Sequence, residues 1–217
     1  MTERVVIIDY GSGNLRSVEK ALQRAVADQG LDCSVGVTSL PEDVLKATRI
    51  VLPGVGAFAD CMRGVQLIAG LEDALEESVR RKGNPFLGIC VGMQLLADKG
   101  FEHGQCAGLG WIGGEVVRIE TGQAQLKVPH MGWNELRMTR PHPVFSHLAP
   151  GSSTHAYFVH SYHFRCANEP DMIATTDHGG NICAAIGRDN IVGTQFHPEK
   201  SQAPGLALLA NFIRWRP

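Results

Sequence analysis

The chain has 217 residues, 44% of them hydrophobic, enough to build one domain around a sizeable core. Its charge is nearly balanced, at a formal −2 with 19% charged residues and no basic stripe, which argues against a nucleic-acid partner. No apolar run reaches membrane-spanning length, and Val5-Val6-Ile7-Ile8, set between Arg4 and Asp9, is too short for a signal-peptide core. The six cysteines (Cys33, Cys61, Cys90, Cys106, Cys166 and Cys183) are scattered, which argues against a disulfide framework and for a reducing, cytoplasmic setting. Most of them read as small buried apolar residues.

In chain order, Val5–Ile8 reads as the first strand. Gly11-Ser12-Gly13 follows it and invites a dinucleotide-binding reading. Arg16 stands where the third glycine belongs, and a convincing acidic residue at the usual distance is lacking, so a tight turn remains. Leu15, Val18, Leu22 and Val26 then recur at helical spacing behind Asn14, a candidate N-cap. Strands are expected near Val35–Val37 and at Ile50–Leu52, and Leu67, Leu71, Leu75 and Val79 mark a second helix. Phe86–Ile89 is the next strand. Glu115–Ile119, Ala156–Phe164, Ile182–Ile186 and Ile191–Phe196 read as shorter strands, partly antiparallel, and Leu206–Ile213 as a closing helix. The alternation predicts an α/β fold: an open, mostly parallel central sheet with flanking helices and a smaller antiparallel portion in the second half. With no repeat or linker, residues 1–217 read as a single domain.

The chemistry concentrates after strands. Gly88-Ile89-Cys90-Val91-Gly92 lies between an apolar strand and the helix-like run Met93, Gln94, Leu95, Leu96. A Gly-x-nucleophile-x-Gly pattern in that position reads as a nucleophile elbow, whose glycines permit a turn sharp enough to expose one side chain. A thiol there would meet a helix N-terminus, which favours its reactive thiolate form. A buried structural cysteine in a Gly-flanked turn is the plainer alternative. His197-Pro198-Glu199 follows the last strand. In extended backbone, residues two apart share a face, so His197 can serve as base and Glu199 as its orienter. Pro53-Gly54-Val55-Gly56 follows the Ile50–Leu52 strand. A backbone N–H from this loop and that of Val91 form a candidate oxyanion hole, although an ordinary strand-to-helix turn has the same composition. In open α/β sheets ligands bind beyond the carboxyl ends of the strands, and all these segments belong to that rim.

Nine histidines raise the question of a metal. The spacings match no zinc pattern, and His160 and His163, three apart in a strand-like run, would face opposite ways. No metal and no cofactor is expected.

Taken together, the chain resembles the class I, triad-type glutamine amidotransferases. The resemblance is carried by Asp9-Tyr10-Gly11-Ser12-Gly13-Asn14-Leu15, Pro53-Gly54-Val55-Gly56-Ala57-Phe58, Gly88-Ile89-Cys90-Val91-Gly92-Met93-Gln94, Val128-Pro129-His130-Met131-Gly132-Trp133-Asn134, Tyr157-Phe158-Val159-His160-Ser161-Tyr162 and His197-Pro198-Glu199-Lys200-Ser201. Within that class these segments look like the glutaminase subunits of imidazole glycerol phosphate synthase, from histidine biosynthesis. The resemblance implies a Cys90-His197-Glu199 triad that hydrolyses glutamine, an oxyanion hole from the Val55 and Val91 N–H groups, and glutamine held by Gly56, Gln94 and Glu102. It also implies a (β/α)₈ cyclase subunit as heterodimer partner, contacted through Asn14, Trp133 and Lys200, and low activity until that partner binds its own ligand. Three departures stand out. Ala97-Asp98-Lys99-Gly100-Phe101 is less acidic than the resemblance suggests before Glu102, Val91 replaces a more usual Leu, and His163 and Cys166 follow Ser161-Tyr162 in an unfamiliar way. The competing readings are another amidotransferase subunit, a thiol peptidase or γ-glutamyl hydrolase on a related fold, and a non-catalytic module.

Overall fold

A computed structural model describes residues 3–122, 126–146, 148 and 154–217. Its first half is a run of βα units: β1 (Glu3–Ile8), α1 (Leu15–Asp28), β2 (Cys33–Thr38), α2 (Pro41–Leu45), β3 (Arg49–Gly54), α3 (Phe58–Leu67), α4 (Leu71–Leu75), β4 (Phe86–Cys90) and α5 (Val91–Gln94). The second half is mostly strand: β5 (Lys99–Gly100), β6 (Cys106–Ala107), β7 (Gly114–Arg118), β8 (His130–Met138), β9 (Thr154–His160), β10 (Tyr162–Cys166), β11 (Met172–Asp177), β12 (Asn181–Arg188) and β13 (Ile191–Thr194), closed by α6 (Gln202–Arg214).

The large sheet runs β2-β1-β3-β4-β13-β12-β11-β8-β9. From β2 to β13 every pairing is parallel, and from β13 to β9 every pairing is antiparallel. The parallel centre explains the apolar runs. Val5–Ile8, all of β3, all of β4 and all of β13 are buried, as strands covered on both faces must be. A second sheet, β10-β7-β5-β6, carries the remaining strands. The C-terminal segment is clamped to the sheet by the buried Arg49. Its Nε donates to the Phe212 carbonyl at 3.2 Å and its Nη2 to the Trp215 carbonyl at 3.0 Å, and Glu3 neutralises it.

Four expectations are corrected. The helix read through Leu67–Val79 is interrupted: α3 ends at Leu67, which is 77% exposed, and a left-handed Gly70 starts α4, so only Leu71, Leu75 and Val79 share the buried stripe. The chain then passes into a π-helical turn at Glu76–Arg81. Ala156–Phe164 is not one strand. Ser161 separates β9, in the large sheet, from β10, in the second sheet, so His160 and His163 lie on different sheets rather than on two faces of one. Asn14 occupies the N-cap position of α1 but makes no side-chain cap bond. Strands β8 and β11 and the short helix α2 have no counterpart among the elements read from the sequence.

Candidate active site

The site begins at the elbow. Cys90 ends β4 with φ 55° and ψ −113°, a left-handed conformation that costs a non-glycine residue strain and turns its side chain out of the strand. The turn exists because its neighbours are small. A Cβ on Gly92 would lie 1.8 Å from the Leu52 carbonyl oxygen, so only glycine lets the elbow pack against β3. The helix that follows is a single turn, Val91–Gln94. The dipole support anticipated for the thiol is therefore that of one turn, and hydrogen bonds must carry more of the load.

Registration brings the other groups to the same rim. β3 and β13 flank β4, with Gly54 opposite Cys90 and Thr194 opposite Ile89. Beyond Thr194 the chain leaves the sheet and places His197 just before a 3₁₀ turn, Pro198–Lys200. Glu199 thus reaches His197 across a helical turn rather than along an extended strand. Its Oε1 bonds His197 Nδ1 at 2.9 Å, with both side chains buried. Ser201 locks this turn: its Oγ donates to the His197 carbonyl at 2.7 Å and accepts from the Tyr157 N–H at 3.0 Å. The His197 N–H donates to the Tyr157 carbonyl at 3.0 Å.

Cys90 is 4% exposed and lines a cavity of about 480 Å³ with His197, Val55, Gly56, Val91, Gln94, Glu102, His160 and Tyr162. His197 Nε2 is buried and completes no aligned hydrogen bond among the described residues, yet the Cys90 sulfur lies close enough to act on the ring. Burial alone pushes the imidazolium down. The Cys90 sulfur and the Glu199 carboxylate outweigh it and raise the His197 pKa to about 9. The ring therefore holds two protons at neutral pH, with its positive charge set between a carboxylate and a sulfur. Such a pair can stabilise a thiolate and then give a proton to a leaving group.

The remaining candidates divide. Gly56, with φ 94°, takes a conformation suited to glycine on the cavity wall. Gln94 is buried. Its Nε2 donates to the Tyr162 carbonyl at 2.9 Å and to Gln195 Oε1 at 3.0 Å, so only its carbonyl oxygen is left for a ligand. Glu102 also lines the cavity, but its Oε2 accepts the Phe58 N–H at 2.8 Å and so anchors the start of α3. Val55 is 43% exposed, and its backbone faces Ser12. The Val55 N–H donates to Ser12 Oγ at 3.2 Å, and that hydroxyl donates to the Val55 carbonyl at 2.6 Å. Cys61 joins the same carbonyl at 3.3 Å. Val91 opens α5 directly after the elbow.

Trp133 and Met131 lie on β8, 48% and 63% exposed, so Trp133 is not a core residue of this chain. Trp133 pairs with Tyr157 on β9, and Lys200 Nζ stands 5.7 Å from the centre of the Tyr157 ring. Asn14 is half-buried at the start of α1, which packs against the Pro198–Lys200 turn. Sequence reasoning missed Gln195, whose Nε2 donates to Cys90 Sγ at 3.7 Å, and the part played by Ser201. The Gln195 bond spans 105 positions and has no spacing signal.

A family model described as glutamine amidotransferase class-I matches residues 6–215. The chain is 57% identical to a protein named imidazole glycerol phosphate synthase subunit HisH from Rhodospirillum rubrum, over 215 residues that cover 99% of this chain and all of that one. It is 53% identical to the protein of the same name from Agrobacterium fabrum, over the same shares of each chain. Among solved structures, a glutamine amidotransferase superposes with a TM-score of 0.68 at 19% identity, covering 94% of this chain and 98% of that one. Another, from Thermotoga maritima, does so with a TM-score of 0.62 at 18% identity, over 92% and 77% of the two chains. At these identities the structures speak for the fold.

Proposed function

The chain belongs to the class I glutamine amidotransferases, among the HisH subunits of imidazole glycerol phosphate synthase, and from that membership we propose that it hydrolyses glutamine through a Cys90-His197-Glu199 triad. The observation that carries this reading is the buried His197–Glu199 pair, bonded at 2.9 Å, with its ring charge raised by the elbow sulfur. Cys90 attacks the side-chain amide carbon of glutamine and forms a tetrahedral adduct. His197 passes its proton to the leaving nitrogen, ammonia departs, and a glutamyl thioester remains. Water, deprotonated by His197, then attacks the thioester and releases glutamate and the thiol. Glu199 holds the ring in its working orientation throughout. Gly56, Gln94 and Glu102 hold the zwitterionic substrate, which needs polar partners once desolvated.

The developing oxyanion is met by the N–H groups of Val91 and Val55. The Val55 donor bonds Ser12 instead, so the loop must turn inward before the hole is complete. Withholding one such donor is typically worth about 10²–10³ in rate. The partner in this proposal is the (β/α)₈ cyclase subunit of the synthase. It receives the ammonia internally and forms imidazole glycerol phosphate and AICAR from a phosphoribulosyl precursor, within the cytoplasm. The exposed Trp133 and Met131, with Lys200 and Asn14, supply an aromatic-centred patch with a polar rim for that contact.

The test is ammonia release from glutamine by the isolated chain and by its complex with the cyclase subunit and that subunit's ligand. Slow release alone and fast release in the loaded complex support the proposal. Equal rates would defeat the gating, and no release in either would defeat the glutaminase assignment.

A further inference from the structure

Gln195 follows β13 directly and is fully buried, its backbone N–H held by the Ala184 carbonyl at 2.9 Å. The orientation of its side-chain amide is dictated from a distance. The Tyr162 carbonyl can only accept, so Gln94 must present its nitrogen there, at 2.9 Å. The second hydrogen of that nitrogen goes to Gln195 Oε1 at 3.0 Å. Gln195 is left with its own nitrogen facing Cys90 Sγ at 3.7 Å.

The same carbonyl is anchored from the other side. His160 Nδ1 donates to Tyr162 O at 2.9 Å, which makes His160 Nε2 an acceptor for His130 Nδ1, also at 2.9 Å. His130 Nε2 then accepts from Asn134 Nδ2 at 3.0 Å, and that amide also donates to the Asp177 carbonyl at 2.8 Å. This assignment requires both rings to be neutral. Burial pushes His130 down to about 4 and His160 down to about 3, so both are neutral at physiological pH. The chain thereby runs in one direction: flipping the Gln195 amide would set its N–H groups against those of Gln94, and flipping Gln94 with it would set the Gln94 oxygen against the Tyr162 carbonyl.

We propose that Gln195 is a further catalytic residue of the glutamine reaction, its side-chain N–H donating to the Cys90 sulfur and stabilising that sulfur as a thiolate. This rests on the reading of Cys90 as nucleophile. An amide N–H on an anionic acceptor is a charge-assisted bond, and it counts for more in a site closed to water. It also supplements the limited support that the one-turn α5 can offer. Among the described residues, the titratable groups acting on the sulfur from other elements are His197, Tyr10 after β1 and Cys61 on α3, and substitution of Gln195 leaves all three in place.

The experiment is the pH dependence of Cys90 alkylation by iodoacetamide, read at Cys90 by mass spectrometry on the full chain. Glutaminase kcat and KM are measured alongside in the complex with the cyclase subunit. In Gln195→Met, which keeps the volume and removes the donor, the alkylation midpoint moves up by about one pH unit and kcat falls about tenfold, with KM within about twofold. In Gln195→Glu, which keeps the acceptor for Gln94 and sets an oxygen against the sulfur, the midpoint moves further. An unchanged midpoint in a variant that melts like the parent would overturn the proposal, and if Gln195→Met does not fold, Gln195→Glu decides by the same reading. If Cys90 of the parent chain is alkylated no faster than the half-buried Cys33 and Cys106, the nucleophile assignment itself fails. If the parent reacts readily and both variants keep its midpoint, only the role of Gln195 fails.

Discussion

His197 and Glu199 are buried, bonded to each other at 2.9 Å, and carried on a turn that Ser201 ties to β9. Across the rim, in the Pro53–Gly56 loop, Val55 is 43% exposed, its N–H and carbonyl both engaged by Ser12. On the proposed reading, the acid–base pair is thus already formed, while the N–H assigned to the developing negative charge is bonded to Ser12. The two regions differ in what moving them costs. Disturbing the His197–Glu199 pair exposes or unpairs buried charge, which costs several kcal/mol. Freeing the loop exchanges two surface-accessible hydrogen bonds with Ser12, worth about 1 kcal/mol each, and the weaker one from the Cys61 thiol. A partner binding nearby could supply the second amount and not the first, which is why the proposed gating is assigned to the loop.

That contrast breaks most severely at the nucleophile. Cys90→Ala is expected to lower glutamine-dependent turnover by at least about 10⁴-fold while leaving ammonium-dependent synthesis by the assembled complex intact, because only the first uses the thiol. Loss of both activities would mean that the substitution disturbs the partner rather than the chemistry. Glu199→Gln is next, with a fall of roughly 10³-fold in kcat from a misdirected ring. It also shifts the pH profile. His197 is raised to about 9 with help from the Glu199 carboxylate, so the alkaline limb of the rate should lie near pH 9 in the parent and move down in the variant. A limb that stays in place would show that another group titrates there.

The loop gives the smaller effect. Ser12→Ala removes the two Ser12 bonds at Val55, leaving that of Cys61, and should raise the resting glutaminase rate about tenfold without altering the loaded complex. A fall in the resting rate would instead make Ser12 part of the working site. Smallest is an acid effect far from the rim. Burial pushes His142 down to about 4, against 6.5 for a free histidine. Above pH 6.5 it is neutral whether the chain is folded or unfolded, and the fold is unaffected. As pH falls from 6.5 toward 4 the unfolded chain takes up the proton first, and stability is lost. His142→Phe, placed against Trp215 and Phe145, should therefore reduce the drop in Tm between pH 7 and pH 4.5. An unchanged drop would assign the acid sensitivity to other groups, such as His130 and His160.

Local pattern carried the elbow well. Two glycines around Cys90 between an apolar strand and a helix-like run encode a turn that few other sequences can make, and Gly92 has no room for a Cβ. The parallel centre was legible for the same reason, since strands buried on both faces read as unbroken apolar runs. The His197–Glu199 contact was reached through an argument about extended backbone, whereas Pro198 starts a 3₁₀ turn there. Gln195 and the His130–His160 pair left no trace, because their bonds join segments 30 to 105 positions apart. Ser161 gave no warning that it divides two sheets. No glycine or proline marks that point, and only tertiary pairing with β7 draws the chain away. The exposure of Trp133 was equally hidden, since an aromatic on a strand fits a core as well as a surface.

The contrast between triad and loop is tested most directly by the ratio of glutamine turnover to Cys90 alkylation in one preparation, with and without the loaded cyclase subunit. A ready triad beside an incomplete oxyanion hole predicts that turnover rises about 10²–10³-fold on loading while the alkylation rate changes little, because alkylation needs the thiolate but no oxyanion donor. Alkylation rising in step with turnover would contradict the account, since the nucleophile, not the hole, would then be what the partner assembles.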